Sequence, residues 1–193
     1  MLQVNELYPI FLKTEQLEFL IVGGGNVALE KLEFLLKSSP NAKITMIAPF
    51  YREATLDFVS NRPNVKLIHR TFNSFFLKGK HVVIATTDKP AVNKRVHYFC
   101  KKKRILVNVA DTPDLCDFYM GAIVTKGNLK IGISTNGKSP TLAKRIRQFL
   151  EDLLPEEVND LLDTLQNYRN TLNGDFEFKV NEMNKVTKSI LEK

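Results

Sequence analysis

The 193 residues carry 28 Lys and Arg against 21 Asp and Glu, a net charge of +7, with 44% hydrophobic and 25% charged residues. That is the make-up of a folded globular chain, long enough to bury a core without disulfides or metals, and it excludes disordered and collagen-like polymers. The two cysteines, Cys100 and Cys116, form no C-x-x-C or zinc spacing and read as reduced thiols; no apolar run approaches the ~20 residues of a membrane span; and Glu6, Glu15 and Glu18 argue against a signal peptide, so a soluble, cytoplasmic protein is expected.

The first strong element is an apolar run over 19–22 that feeds into Gly23-x-Gly25-x-x-Ala28. This is the order a dinucleotide site requires: strand, glycine turn, helix. Gly23 permits the turn, Gly25 lets a pyrophosphate approach the backbone, and Ala28 lets the helix pack on the strand. The free N–H groups and positive dipole end of that helix then face the phosphates. A helix over 27–37 should bury Val27, Ala28, Leu32, Leu35 and Leu36. A strand over 43–48 is closed by Pro49, a helix covers 52–60, and short strands follow at 65–69 and 81–85. Pro90 opens a helix over 90–102, and a further strand covers 105–109. Alternating β and α with strands of buried character predicts a doubly wound, Rossmann-like parallel sheet.

The pattern changes beyond Asp111. Apolar runs over 118–124 and 129–134, joined by Lys126-Gly127-Asn128, suggest a hairpin that pairs with another subunit. From residue 141 the chain reads as helical, broken at Pro155 and near Asn173-Gly174. Leu142, Ile146, Phe149, Leu150 and Leu153 form an apolar stripe. The expected organisation is a nucleotide-binding domain over 1–113, a central strand-rich segment over 114–140 and a helical part over 141–193.

Several residues carry candidate chemistry. Asp111 follows the 105–109 strand at the carboxyl edge of the sheet, where open α/β folds bind ligands. A carboxylate there accepts a proton or orients a cationic group. Asp-x-Pro also favours a simple turn, and the pattern leaves both readings open. Thr86, Thr87 and Asp88 follow the 81–85 strand and can meet a ribose or nicotinamide group, while Asp88 is also a natural cap for the next helix. Asp114 and Asp117 read as loop or cap residues. Ser139 is a natural N-cap before Pro140, and Lys138 beside it can meet an anion. Gly132-x-x-x-x-Gly137-Lys138-Ser139 has the letters of a phosphate-binding loop, but Gly132 falls inside a strand pattern, which argues against an ATP site. His69, His81 and His97 share no ligand spacing, and no permanent metal site is expected. The acid that usually binds the ribose 2′-OH is missing at Ala48 and Pro49. Arg52 stands close by, so the residues leave NAD or NADP open. The positive charge suits nucleic acid or a polyanionic small molecule. The clusters Lys101-Lys102-Lys103-Arg104 and Lys144, Arg145, Arg147 lack interleaved aromatics, which favours an acidic small ligand over nucleic acid.

Together these segments resemble one family. They are Leu7-Tyr-Pro-Ile-Phe11, Ile21-Val-Gly-Gly-Gly-Asn-Val-Ala28 with Lys31, Ala85-Thr-Thr-Asp88, Asn93-Lys-Arg-Val96, Val107-Asn-Val-Ala-Asp111, Cys116-Asp-Phe118 and Ile133-Ser-Thr-Asn-Gly-Lys-Ser-Pro140 with Leu142-Ala143. In this order, over 7–155, they are similar to the precorrin-2 dehydrogenase family, the N-terminal module of siroheme synthase. The resemblance implies NAD-dependent oxidation of precorrin-2 to sirohydrochlorin in siroheme biosynthesis, with ferrous iron insertion in some members. It implies a homodimer with a Rossmann-like domain, a dimerisation segment and a helical C-terminal part. It makes Asp111 the essential carboxylate, with Gly23, Gly24, Gly25, Asn26 and Val27 along the cofactor and Pro49 and Phe50 near its adenosine end. It favours NAD over NADP. Thr135 stands where some relatives carry a modified serine. Precorrin-2 bears eight carboxylates, which Ser139, Lys138, Lys144 and Arg145 would attract, with Arg147 nearby. With no methyltransferase domain in these residues, the upstream methylation is expected from another protein. The reading from a different class is a non-catalytic NAD-sensing module.

Overall fold

Phe19 and Ile21 point to one side of strand β1 (Glu18–Val22), and Leu20 and Val22 to the other. The computed structural model, which describes residues 4–191 and side chains through Lys188, builds two apolar layers from that alternation. On one face Phe19 and Ile21 join Ile44, Met46, Val82 and Ile84 beneath Ala28, Leu32 and Leu36 of helix α1 (Asn26–Ser38). On the other, Leu20 and Val22 join Ile47, Val83, Ala85, Val107 and Val109 beneath Val96 and Cys100 of helix α3 (Pro90–Lys103). A sheet covered on both faces needs apolar residues at nearly every strand position, which explains why its strands read as continuous apolar runs.

The remaining strands are β2 (Lys43–Ala48), β3 (Val65–His69), β4 (Val82–Ala85) and β5 (Leu106–Val109), with the short helix α2 (Glu53–Val59) between β2 and β3. All pairings are parallel and the order is β3-β2-β1-β4-β5. The winding reverses between β1 and β4, which creates the switch-point crevice of an open α/β sheet. Elements stand within a residue or two of their expected positions. Val27 and Leu35 are only half-buried, so α1 packs on a narrower stripe than the periodicity suggested.

The chain divides into two units, the first ending at Met120 and the second beginning at Gly121. The apolar run expected as one strand over 118–124 is split by this division. Phe118 and Met120 pack against the core of the first unit, and strand β6 starts only at Ala122. In the second unit β6 (Ala122–Lys126) pairs antiparallel with β7 (Leu129–Ile133). The two-residue loop between them has Gly127 at φ 53°. A side chain on Gly127 would collide with Asn159, whose Oδ1 accepts the Asn128 N–H at 3.0 Å. Lys126 pairs with Glu156. Helix α4 (Pro140–Leu153) buries Ala143, while Leu142, Phe149 and Leu153 of its apolar stripe remain more than half exposed. Helices α5 (Val158–Thr171) and α6 (Phe176–Leu191) complete the unit. Among the described residues no helix is long and apolar enough to cross a membrane.

Burial of Cys100, reinforced by the charge of Asp117, pushes its thiol up from 9.0 to about 12. Tyr51 is pushed in the same direction, to about 12, chiefly by burial. The unfolded chain gives up these protons at lower pH than the folded one. Stability is therefore full below about pH 9 and falls as pH rises, by up to about 1.4 kcal/mol per pH unit for each group. Thermal melts at about pH 8 and about pH 11 should show a lower midpoint at the higher pH, with a smaller drop for Cys100→Ala.

Candidate functional site: the carboxyl edge of the parallel sheet

The glycine turn after β1 divides its work among three residues. Gly23 has φ 140°, and a side chain there would strike the Thr86 hydroxyl. At Gly24 a Cβ would run into the Phe50 carbonyl and stand 2.9 Å from the Ala48 side chain. The turn is tied down by Gly23 N–H to the Ile47 carbonyl at 3.0 Å and Arg52 N–H to the Gly24 carbonyl at 3.2 Å. Both glycines are thus demanded by the fold. Gly25 is not. Its φ is −89°, and an added Cβ would meet nothing within 4 Å. It is the N-cap of α1 and supplies no capping side chain, so the first-turn N–H groups, those of Asn26 and Val27 included, receive none. Open space beside an uncapped helix N-terminus fits the pyrophosphate of a dinucleotide. Pro49 and Phe50 end β2 exposed, with the Phe50 ring 72% accessible beside this turn.

The loop after β4 is fastened from within. The Thr86 hydroxyl donates to the Val22 carbonyl at 3.1 Å and is buried. The Thr87 hydroxyl donates to Asn93 Oδ1 at 2.7 Å. Asn93 also accepts the Thr87 N–H at 3.2 Å and donates from Nδ2 to the Thr87 carbonyl at 2.9 Å. Asn93 is the residue that sequence reasoning missed. Its signal was a polar side chain on the buried face of α3, four residues after the cap position. Both threonine hydroxyls are committed to the protein, so a ligand at this loop meets main chain and methyl groups. Asp88 does not cap α3, since the cap position is Lys89, which makes no side-chain cap bond. Asp88 stays exposed.

Asp111 lies two residues beyond β5 in the left-handed region, φ 57°. Few residue types other than glycine accept this conformation, Asp and Asn being the common exceptions. The residue is exposed, and its carboxylate has no hydrogen-bond or ion-pair partner among the described residues. The turn is anchored by Ala110 N–H to the Ala85 carbonyl at 2.9 Å and Thr112 N–H to the Val109 carbonyl at 3.1 Å. Asp117, expected as a loop or cap residue, instead pairs with Lys101 at 2.5 Å and accepts the Val107 N–H at 3.1 Å. The opposite, amino edge of the sheet is different. There Lys80 satisfies Glu18 at 3.1 Å and Thr45 at 2.8 Å, and His81 Nδ1 accepts the Glu18 N–H at 2.9 Å. Glu18 and Lys80 on that edge are paired internally, whereas Asp88 and Asp111 on the carboxyl edge are left for solvent or ligand.

In the second unit Ser139 caps α4, its hydroxyl accepting the Leu142 N–H at 3.2 Å. Thr135 braces this cap, donating to the Ser139 carbonyl at 3.1 Å and accepting its N–H at 3.2 Å. Gly132 lies inside β7 opposite Ile123, so the lookalike phosphate loop does not form. Lys138, Lys144 and Arg145 are exposed around the start of α4, with Arg145 reaching Gln148 at 3.3 Å and Arg147 paired with Glu151. Cations at a helix N-terminus repel its positive dipole end, so this cluster is suited to an anionic ligand. Among the described residues no group of three or more His, Cys, Asp and Glu is placed to hold a metal.

Residues 10–122 match the family model described as "Putative NAD(P)-binding", and residues 126–153 match "Sirohaem biosynthesis protein central". The siroheme synthase of Psychrobacter sp. strain PRwf-1 is 39% identical over 190 residues, covering 91% of this chain and 38% of that protein. The siroheme synthase of Pseudoalteromonas atlantica strain T6c is 36% identical over 171 residues, covering 89% of this chain and 36% of that protein. The chain thus spans little more than a third of the length of these relatives. A solved structure of SirC, a precorrin-2 dehydrogenase, superposes with a TM-score of 0.71 at 26% identity, covering 93% of this chain and 89% of that one.

Gly24 and Gly25 should respond differently to alanine. Gly25→Ala should fold with a melting midpoint close to that of the unaltered chain, because only the ligand side is obstructed, yet bind NAD at least ~10-fold more weakly. Gly24→Ala should melt at clearly lower temperature, because Phe50 and Ala48 must move. Thermal melts beside NAD titrations separate the two, and Gly25→Ala binding NAD normally would contradict the cradle.

Proposed function

The chain belongs to the siroheme-synthase N-terminal family, an NAD(P)-binding domain followed by the sirohaem central segment, and from that membership and the site we propose that it oxidises precorrin-2 to sirohydrochlorin with NAD. The observation that carries the reading is the unpartnered Asp111 carboxylate, held on the same sheet edge as an open dinucleotide cradle. Gly25 and the first turn of α1 hold the pyrophosphate, Pro49 and Phe50 border the adenosine, and the Thr86-Thr87 loop flanks the path toward Asp111. Asp111 is two strand spacings from β1, about 10 Å.

Oxidation of the macrocycle removes a hydride and a proton, two electrons and two protons in all. Bound NAD supplies the acceptor for the hydride. Asp111 takes the proton, or holds the ring nitrogens while it leaves; an exposed carboxylate with no internal partner is free for either role. The substrate's carboxylates are drawn by Lys138, Lys144 and Arg145, with Ser139 at the same helix start. We extend the proposal to ferrous iron as a second substrate, entering after oxidation while the same carboxylate accepts pyrrole protons. The exposed apolar stripe of α4 supports a homodimer, since such a stripe on one chain invites cover by a second. A cytoplasmic location fits the reduced thiols, and the three functional parts proposed are residues 1–113, 114–140 and 141–193, with truncations cut at the structural division between Met120 and Gly121.

Anaerobic incubation of the protein with precorrin-2 and NAD, followed by NADH absorbance and the sirohydrochlorin spectrum, tests the reading. Asp111→Asn should lose at least ~100-fold in kcat while binding NAD within about twofold of the unaltered chain. Full activity in Asp111→Asn would remove Asp111 from the mechanism. NAD binding without turnover by the unaltered chain would instead favour a sensor.

A further inference from the structure

β5 is the last strand of the sheet, and its outer side has no strand beside it. The chain returns along that side at residues 116–118 and closes it with side-chain as well as backbone partners. Asp117 N–H donates to the Val107 carbonyl at 2.8 Å, and its carboxylate accepts the Val107 N–H at 3.1 Å. Two residues on, the Val109 N–H donates to the Cys116 sulfur at 3.2 Å. The thiol in turn lies 3.2 Å from the Val109 carbonyl and 3.4 Å from that of Thr112, either of which can take its single proton. The buried Asn108 stands behind this contact, donating from Nδ2 to the Phe118 carbonyl at 2.8 Å and to the Cys116 sulfur at 3.5 Å. Between these ties runs the 110–115 loop, with Asp111 in its left-handed conformation.

We propose that Cys116 is the positioning residue of Asp111: its sulfur, backed by Asn108, gathers Val109 and Thr112 into one turn and so fixes where the Asp111 carboxylate stands. This inference rests on the reading of Asp111 as the group that handles the substrate proton. The thiol does not act as a nucleophile. Burial pushes its ionisation up from the ordinary value, which keeps the proton that the turn uses. The turn's other ties are main-chain bonds at its two ends, Ala110 N–H to the Ala85 carbonyl at 2.9 Å and Thr112 N–H to the Val109 carbonyl at 3.1 Å, with the Thr112 hydroxyl on the Ala110 carbonyl at 3.3 Å; the Cys116 sulfur is the side-chain tie that joins this turn to the returning segment. The strain of a left-handed aspartate opposes the turn, and the Asp111 side chain contributes no bond of its own. Release of the sulfur therefore moves the carboxylate without disturbing the glycine cradle, which is tied to Ile47 of β2 and to Arg52 at the start of α2.

The test compares Cys116→Ala, which removes donor and acceptor, with Cys116→Ser, which keeps both on a shorter arm, in the precorrin-2 and NAD assay. Cys116→Ala should lower kcat by ~10- to 100-fold, the scale expected for a reacting group displaced by about 1 Å, with NAD affinity within about twofold. Cys116→Ser should recover most of that loss. Asn108→Leu keeps the branched side-chain shape and the thiol but removes the amide behind it, together with its bond to the Phe118 carbonyl. It should also lower kcat with NAD affinity kept, and it serves as the test if the alanine chain does not fold. Folded Cys116→Ala or Asn108→Leu protein with unaltered kcat would overturn the inference, as would a serine chain no more active than the alanine chain. Asp111→Asn separates the two levels. If that variant is fully active, the reading of the site fails; if it is inactive while Cys116→Ala is fully active, only the role of Cys116 fails.

Discussion

Three hydrogen bonds step across the carboxyl edge of the sheet and set everything above it at one level. They run from Gly23 N–H to the Ile47 carbonyl at 3.0 Å, from Thr86 N–H to the Val22 carbonyl at 2.9 Å, and from Ala110 N–H to the Ala85 carbonyl at 2.9 Å. Each takes the first residue beyond a strand and bonds it to the end of the neighbour, the last residue of β1 and of β4 and the next-to-last residue of β2. They continue the parallel ladder by one step past β1, β4 and β5, so the glycine turn, the Thr86-Thr87 loop and the Asp111 turn all begin from the same edge. Close contact then does the rest. The chain can leave β1 between Thr86 on one side and Phe50 on the other only because Gly23 and Gly24 have no side chains. A ligand-binding edge thus follows from strand register and two steric exclusions, before any polar group is considered.

The electrostatics follow the same asymmetry. On the amino edge, Lys80, Glu18, Thr45 and His81 are engaged with one another, and only the exposed Lys43 at the start of β2 has no side-chain partner among them. On the carboxyl edge the helix N-terminus of α1 is uncapped, and the Asp88 and Asp111 carboxylates have no internal partner. Of the polar side chains buried there, Thr86, Asn93 and Asn108 are spent on backbone and neighbouring side-chain atoms, while the buried Thr55 hydroxyl in the first turn of α2 is the exception and has no partner among the described residues. Buried groups hold the frame, since an unsatisfied one would be costly, and exposed groups are released for ligand.

How much of this is legible in the sequence depends on the range of the interaction. Period-two and period-3.6 patterns place β1 through α3 closely, because a two-faced parallel sheet forces apolar residues into continuous runs. The glycine signature also reads directly, since each glycine answers a backbone requirement carried in the motif itself. The 118–124 run misleads because hydrophobicity does not say which core a residue joins: Phe118 and Met120 close the first unit, and Ala122 begins the second. The α4 stripe misleads for a related reason, as periodicity reveals an apolar face but not what covers it. Asp88 reads as a cap from its neighbours, yet the loop is held by Asn93 and Thr87. Cys116 and Asn108 stand in segments that carry the family resemblance, but nothing local tells what they do. Their roles exist only once the chain has turned back on β5.

Asp111 brings these strands of argument together. Its φ of 57° is a conformation in which glycine is at ease and a side chain costs about 1 kcal/mol, less for Asn and Asp than for others. The turn by itself would therefore be served by glycine or asparagine at least as well. Nothing in the frame requires the negative charge: among the described residues no cation pairs with it and no backbone N–H is capped by it, in contrast to Asp117 six residues later in the chain, whose carboxylate is engaged with Lys101 and Val107. A group that the fold constrains in place but does not use is one whose partner comes from outside. The level edge puts that group within two strands of the dinucleotide cradle, and this is the physical ground for reading Asp111 as the reacting carboxylate rather than as a turn residue.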